Sequence, residues 1–477
     1  MSGEITTMSA GALAEAIRTR VLSSQEVVEA HLARIDEVNP TVNAIVSYAP
    51  EAAIAAAKER DRELAAGTIR GPLHGVPIAV KDLMDVAGLP TSHGSRIHAG
   101  RVATQDSVIS GRLRDAGVVF VGKTNTPEFG AGSHTFNEVF GATRNPYDLD
   151  RSAGGSSGGA SAAVTSGMLP FADGSDLGGS IRNPASFGNL VGLRPTAGRV
   201  ASARPGNAWD PGSVLGALTR NVRDTALFLS VVSGPERRAP LAIDEDPALF
   251  LSIAPRPFAG ARIAYSPDLG GLPLDPQVRA ATAAAARLAS ELGAEVVEVD
   301  LDLSEADAVF ETFRSLEFLD GHGDDVREQP DLVKKTVRDD VSWAAGIDAA
   351  QLVHAASAKT RLFRRMQALF EEYDMLLAPT VQVLPFPLDW EFPTEIDGVA
   401  MERYYTWQRS CSRITATAMP ALSMPAAFSA EGLPIGVQFV GPYRGDRLLL
   451  EFALTWESAV ADVMSRRPVL TAAEALV

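Results

Sequence analysis

The sequence predicts an α/β protein of stacked layers with a mostly buried sheet. Three observations carry this. Short apolar runs alternate with segments of helical period along the whole chain. PIAVKD (77–82) reads as a short buried strand and GVVFVGKTN (117–125) as a second. A chain of 477 residues with 46% hydrophobic and 21% charged residues is also long and apolar enough to bury a sizeable core.

The elements follow in order. Residues 9–38 read as two helices separated by a break near 21–24. In the second, Ser23 and Glu26 have the spacing of a capping box, and Val27, Val28, His31, Leu32 and Ile35 recur at helical period. Residues 51–66, rich in alanine and charge, predict another helix. PIAVKD (77–82) predicts a buried strand ending at a lysine, and GVVFVGKTN (117–125) a second. Helices are expected at 160–166 and 274–292, and strands at 261–266 and 294–301. The proline- and acid-rich stretch 235–257 reads as a surface excursion. Residues 303–410 read as helical cover, with Phe313, Phe318, Trp343, Tyr404, Tyr405 and Trp407 packing against the core. No internal repeat stands out.

A formal net charge of −16 disfavours nucleic acid and anionic membrane as partners, since both select basic surfaces. The single cysteine, Cys411, cannot form an intrachain disulfide or a cysteine-based metal site, and reads as a small buried apolar residue. MSGEITTMSAGAL lacks the basic-then-apolar pattern of a signal peptide, and no run of eighteen apolar residues suggests a span. A cytoplasmic protein without metal or cofactor is the expectation.

Two glycine-bedded serines raise the question of chemistry: Ser156 in AGGSSGGAS (153–161) and Ser180 in SDLGGSIRNP (175–184). A phosphate-binding loop would need a lysine after the glycines, and ASAAV follows instead. A dinucleotide fingerprint would need a strand leading into it, whereas 144–153 is turn-like. Gly154–Gly158 satisfies G-x-S-x-G, the nucleophile elbow, but only His322 and His354 lie far downstream, in charged helix-like surroundings. A buried neutral lysine can also take a proton from serine. Lys81, at the end of an apolar strand, is a candidate, although a lysine there can equally snorkel to solvent.

Together, GVPIAVKD, GKTNTPEFG, GATRNPYD, AGGSSGGAS and GSDLGGSIRNPASF occur in this order, with Ser156 and Ser180 24 positions apart. This set closely resembles the amidase signature family of serine hydrolases. The resemblance extends less specifically to 419–442, and so covers most of the chain. It implies one domain over 1–477, of α/β/α layers with a large mixed central sheet covered by helices. Its signature core would span about 70–200, with the pocket cover at about 303–410. It also implies a triad of Lys81, Ser156 and Ser180. Ser180 would be the nucleophile, and Ser156 a bridging serine after a cis peptide bond from Gly155. The implied oxyanion hole is the backbone N–H groups of Leu177, Gly178, Gly179 and Ser180. Gly130, Ala131 and Gly132 would line the acyl side, and Asp176 and Arg182 would brace the loop. His134 is expected to satisfy a local hydrogen bond.

Ala160, Ala418 and Ala427 depart from common family residues and weaken any transfer of substrate identity, whereas Leu177 departs at a position that would use only its main-chain N–H. The expected function is hydrolysis of small-molecule aryl or alkyl amides, with carbamates and esters as related substrates, by a free enzyme or homodimer. The alternative is the glutaminase-like component of a transfer-RNA-dependent amidotransferase. A catalytically silent binding protein is disfavoured because all three triad residues are present.

Overall fold

The computed structural model describes residues 2–204, 206–471 and 474. Two sheets position the site. The smaller has three strands in the order β1 (Ile45–Val46), β3 (Val119–Thr124) and β2 (Pro77–Lys81), with β2 and β3 parallel. All five residues of β2 are buried, as its unbroken apolar run requires.

The larger sheet contains β4 (Phe171–Asp176), β5 (Val191–Arg194), β6 (Val214–Thr219), β7 (Arg262–Tyr265), β8 (Glu295–Glu298), β9 (Met375–Pro379), β10 (Ala421–Phe428) and β11 (Pro434–Val440). Their order is β8-β7-β9-β11-β10-β5-β6-β4. It is a mixed sheet: β7 pairs parallel with β8 and β9, and the other pairings are antiparallel. The first two strands expected from sequence therefore stand outside the main sheet. β2 lies against β4 without pairing, and the Asp173 carboxylate takes the Lys81 N–H that a ladder would use.

Between the sheets runs the helix Gly158–Thr165, all eight of whose residues are buried. Glycine admits it there, because a Cβ on Gly159 would stand 2.3 Å from the Asn125 nitrogen. The expected N-terminal break is also present. Helices span Ala10–Arg18 and Ser24–Val42, and the second carries the capping box of Ser23 and Glu26. Helices Ala306–Glu328, Lys335–Ala344 and Ala349–Glu372 form the cover. The 235–257 excursion is held by Phe250, which is buried within the turn Pro247–Ser252.

Candidate active site

Lys81 ends β2 with its side chain wholly buried. Nζ donates to three serine hydroxyls: Ser156 Oγ at 2.7 Å, Ser157 Oγ at 2.9 Å and Ser175 Oγ at 2.9 Å. No carboxylate among the described residues bonds to it. Burial therefore outweighs the attraction of Asp173 and Asp176, and pulls the ammonium down to about 7. Ser157 Oγ accepts from the Ser175 N–H and faces the Ser175 carbonyl at 3.4 Å, so its own proton has a destination other than lysine. A neutral Lys81 can then donate to Ser157 and Ser175 and accept from Ser156.

Ser156 follows a cis peptide bond from Gly155. Thr135 pins this turn, donating to the Gly154 carbonyl at 2.9 Å and accepting from Gly158 N–H at 3.0 Å.

Ser180 sits on the turn after β4. Asp176, at the strand's end, gathers that turn by accepting from the N–H groups of Gly179 (2.9 Å), Ile181 (3.1 Å) and Arg182 (3.3 Å). The Arg182 guanidinium clasps the same carboxylate, and Arg194 adds a second positive charge 3.8 Å away. Asp176 is held well below the usual carboxylate range; burial opposes this, and Arg182 leads the groups that lower it. Gly179 has φ +120°, and a Cβ there would meet Cys411 Cβ at 2.6 Å. The Ser157 N–H donates to the Ser180 carbonyl at 3.1 Å, tying the two serine turns together.

One expectation needs correction at this turn. The Gly179 N–H is already given to Asp176. Of the four expected oxyanion donors, only the N–H groups of Leu177, Gly178 and Ser180 lack an acceptor among the described residues. The hydroxyls of Ser156 and Ser180 share no hydrogen bond in this state, since Ser156 is turned to Lys81.

A family model described as Amidase matches residues 26–450. The chain belongs to the amidase family. It is 35% identical over 460 residues to an acylamidase of Rhodococcus erythropolis, covering 94% of this chain and 95% of that protein. It is 33% identical over 485 residues to the A component of the glutamyl-tRNA(Gln) amidotransferase of Acidothermus cellulolyticus, covering 95% and 94% respectively. Among solved structures it resembles a bacterial aryl acylamidase of the amidase signature family with a TM-score of 0.90. The two share 28% identity over 97% of this chain and 99% of that one. The large mixed sheet wrapped by helices is thus the amidase signature fold, and this amidase is a hydrolase of amide C–N bonds.

The serines of the amidase open into a cavity of about 1050 Å³. Gly130 and Gly132 line it, but Ala131 does not. Ala131 is fully buried and packs with Phe129, Phe318 and Val337, because the Glu128–Gly130 turn directs it away. Phe129, Phe310, Phe318, His322 and Tyr404 contribute aromatic wall. The Phe129 and His322 rings stack at 3.9 Å. Aromatics of the cover thus line the pocket as well as packing, whereas Trp407 is wholly buried and stacks on Phe187.

His134 is satisfied locally by Ser152 Oγ (2.8 Å) and the Leu388 carbonyl (3.0 Å), and burial lowers it to about 4. Cys411 is buried, and burial pushes its thiol up to about 12. Sequence reasoning missed Ser157, Ser175 and Asp173 around Lys81. The available signal was their place in the same glycine-rich segments, one beside Ser156 and two just before Ser180. It also missed Gln408, which accepts from Asn183 (2.8 Å) and Ser133 at the cavity wall. No helix among the described residues is long and apolar enough to cross a membrane, and none of their side chains form a cluster able to hold a metal ion.

Proposed function

We propose that this amidase works through an acyl-enzyme on Ser180, with Ser156 passing protons to and from Lys81, and that it favours amides with apolar acyl or N-aryl groups. The observation that carries the reading is the setting of Lys81: wholly buried and bonded to hydroxyls alone, with burial drawing its ammonium down to about 7. Such a lysine is a base.

When substrate fills the cavity, the Ser180 hydroxyl closes onto Ser156, a contact that tightens in the reacting complex. The Ser180 proton passes to Ser156 as the Ser156 proton passes to the Nζ lone pair. Ser180 Oγ bonds to the carbonyl carbon, and the carbonyl oxygen takes the negative charge. The free N–H groups of Leu177, Gly178 and Ser180 meet that charge, each such donor being worth about 10²–10³ in rate. The C–N bond then breaks as the proton returns through Ser156 to the leaving nitrogen. Water repeats the cycle and releases the acid. With an ester, or a carbamate cleaved at its C–O bond, the same relay breaks C–O and returns the proton to the leaving oxygen.

The aromatic wall supports an apolar substrate. Arg314, a buried cation of the lining, is no free clamp for a substrate carboxylate. It pairs with Asp340 at 2.8 Å and lies over the rings of Phe318, Tyr404 and Tyr405. The similarity to an acylamidase and to an aryl acylamidase points the same way. The glutaminase-like reading draws on the 33% identity to an amidotransferase component. Anilides, p-nitroanilides, primary amides, aryl carbamates and free glutamine assayed side by side decide between them. Anilides or carbamates are expected to be turned over faster than glutamine, and equal or better rates with glutamine overturn this reading.

A further inference from the structure

Asp173, in the middle of β4, is fully buried beside the lysine. Its Oδ1 accepts the Lys81 main-chain N–H at 2.9 Å, while Oδ2 is buried with no hydrogen-bond partner among the described residues. A carboxylate oxygen left unsatisfied in the interior is costly and calls for a reason. Two cations act on it, Lys81 and Lys123. Lys123 is also buried, held by the Met84 carbonyl and Thr91 Oγ1, and it feels Asp82, Asp85 and Arg101 as well as Asp173. Asp82 is itself occupied by Ser92 and the Gly94 N–H.

Two carboxylates act on Lys81, Asp173 and Asp176. Asp176 is already matched by Arg182 and Arg194 and by three backbone amides. Asp173 alone has charge to spare when a new cation appears next to it. The relay creates one, because Lys81 becomes an ammonium as the proton leaves the serines.

Resting on that reading of Lys81 as the base, we propose that Asp173 is its positioning residue: Oδ1 anchors the lysine main chain, and the carboxylate charge stabilises the ammonium formed during attack, with Lys123 tempering that charge. Burial pushes the Asp173 carboxyl up to about 6, while the Lys81 N–H, Lys123 and Lys81 itself all favour its ionised form.

The test is the pH profile of anilide turnover for Asp173→Asn, which keeps an oxygen for the Lys81 N–H but removes the charge. The ammonium is then less favoured. The acid limb is expected to move to lower pH by roughly half a unit or more, and the plateau rate to fall about tenfold through loss of transition-state stabilisation. Lys123→Met removes a positive charge and is expected to move the limb the other way, to higher pH. Opposite displacements cannot come from general loosening. An unmoved limb in Asp173→Asn overturns the inference. If that variant does not fold, an unmoved or lowered limb in Lys123→Met overturns it instead. Lys81→Arg separates the two levels. If it is inactive while Asp173→Asn keeps the wild-type limb, only the role of Asp173 falls; if it is active, the relay falls and this inference with it.

Discussion

Asp176 and Arg182 form a two-point ion pair under the turn that carries Ser180. Nη2 lies 2.9 Å from Oδ1 and Nε 3.1 Å from Oδ2, with neither side chain exposed. The same carboxylate holds three amides of the turn, so pair and turn are one unit. Removing one partner leaves an uncompensated buried charge, which costs about 3–5 kcal/mol. Asp176→Asn is expected to lower urea stability by that order and to abolish turnover. Because the folded carboxyl is depressed, its contribution is fully present above the ordinary carboxylate range and is lost only as pH falls towards the folded value. The stability gap between wild type and Asp176→Asn therefore narrows in strong acid.

As the proposed base, Lys81 is expected to set the pH dependence of the reaction. It must be neutral to accept a proton, so turnover is expected to rise with pH through about 7 and then level. His134 already lies near 4, so His134→Gln should leave that limb in place. Arginine cannot release its proton at any working pH. Lys81→Arg should accordingly retain less than about a tenth of wild-type rate, one decade being about 1.4 kcal/mol.

The same lysine is a burden on stability. Its folded value lies below the unfolded one, so the unfolded chain binds more protons between about 7 and 10.5, and stability rises with pH across that window. Below it the amine is charged in both states, and the cost of burying the ammonium is borne in full. Lys81→Met, which fills the space without a charge, should be inactive yet more stable at pH 6 by on the order of 1–3 kcal/mol. Thermal unfolding at pH 6 and pH 10 measures this, and the advantage should shrink at the higher pH.

Ser180 should be the residue that a phosphonate or sulfonyl reagent labels, since it lines the cavity on the turn proposed to hold the oxyanion. Peptide mapping by mass spectrometry distinguishes it from Ser156; an adduct on Ser156 would contradict the assignment. Ser180→Ala should be inactive. Ser156→Ala should keep more activity than Lys81→Ala, because a water can stand in for a bridging hydroxyl.

Phe129 stacks on His322 at the cavity wall. Truncating an aromatic anchor in a binding pocket typically costs more than 1 kcal/mol. Phe129→Ala is expected to raise KM for anilides about tenfold while changing it little for a short aliphatic amide, as steady-state kinetics with the two substrates will show.

What the sequence alone determined lies within short stretches. The Ser23–Glu26 capping box, the buried strand ending at Lys81 and the helix after the glycine–serine run depend on periodicity and on hydrogen bonds across a few residues. The family resemblance that the motif segments carry likewise implies Lys81, Ser156 and Ser180 without coordinates. Tertiary structure decided which buried groups meet. Lys81 finds Ser156 from 75 positions away and Ser175 from 94. Asp176 withdraws the Gly179 amide from the expected oxyanion donors, Ala131 turns from the cavity between two glycines that line it, and Asp340 neutralises Arg314. It also placed β2 and β3 outside the main sheet, with a side chain occupying the Lys81 amide. Local pattern governs backbone conformation and which face is buried. The partner of a buried charge is set instead by how helix and sheet pack, since desolvation makes each polar atom seek whatever the fold brings within about 3 Å.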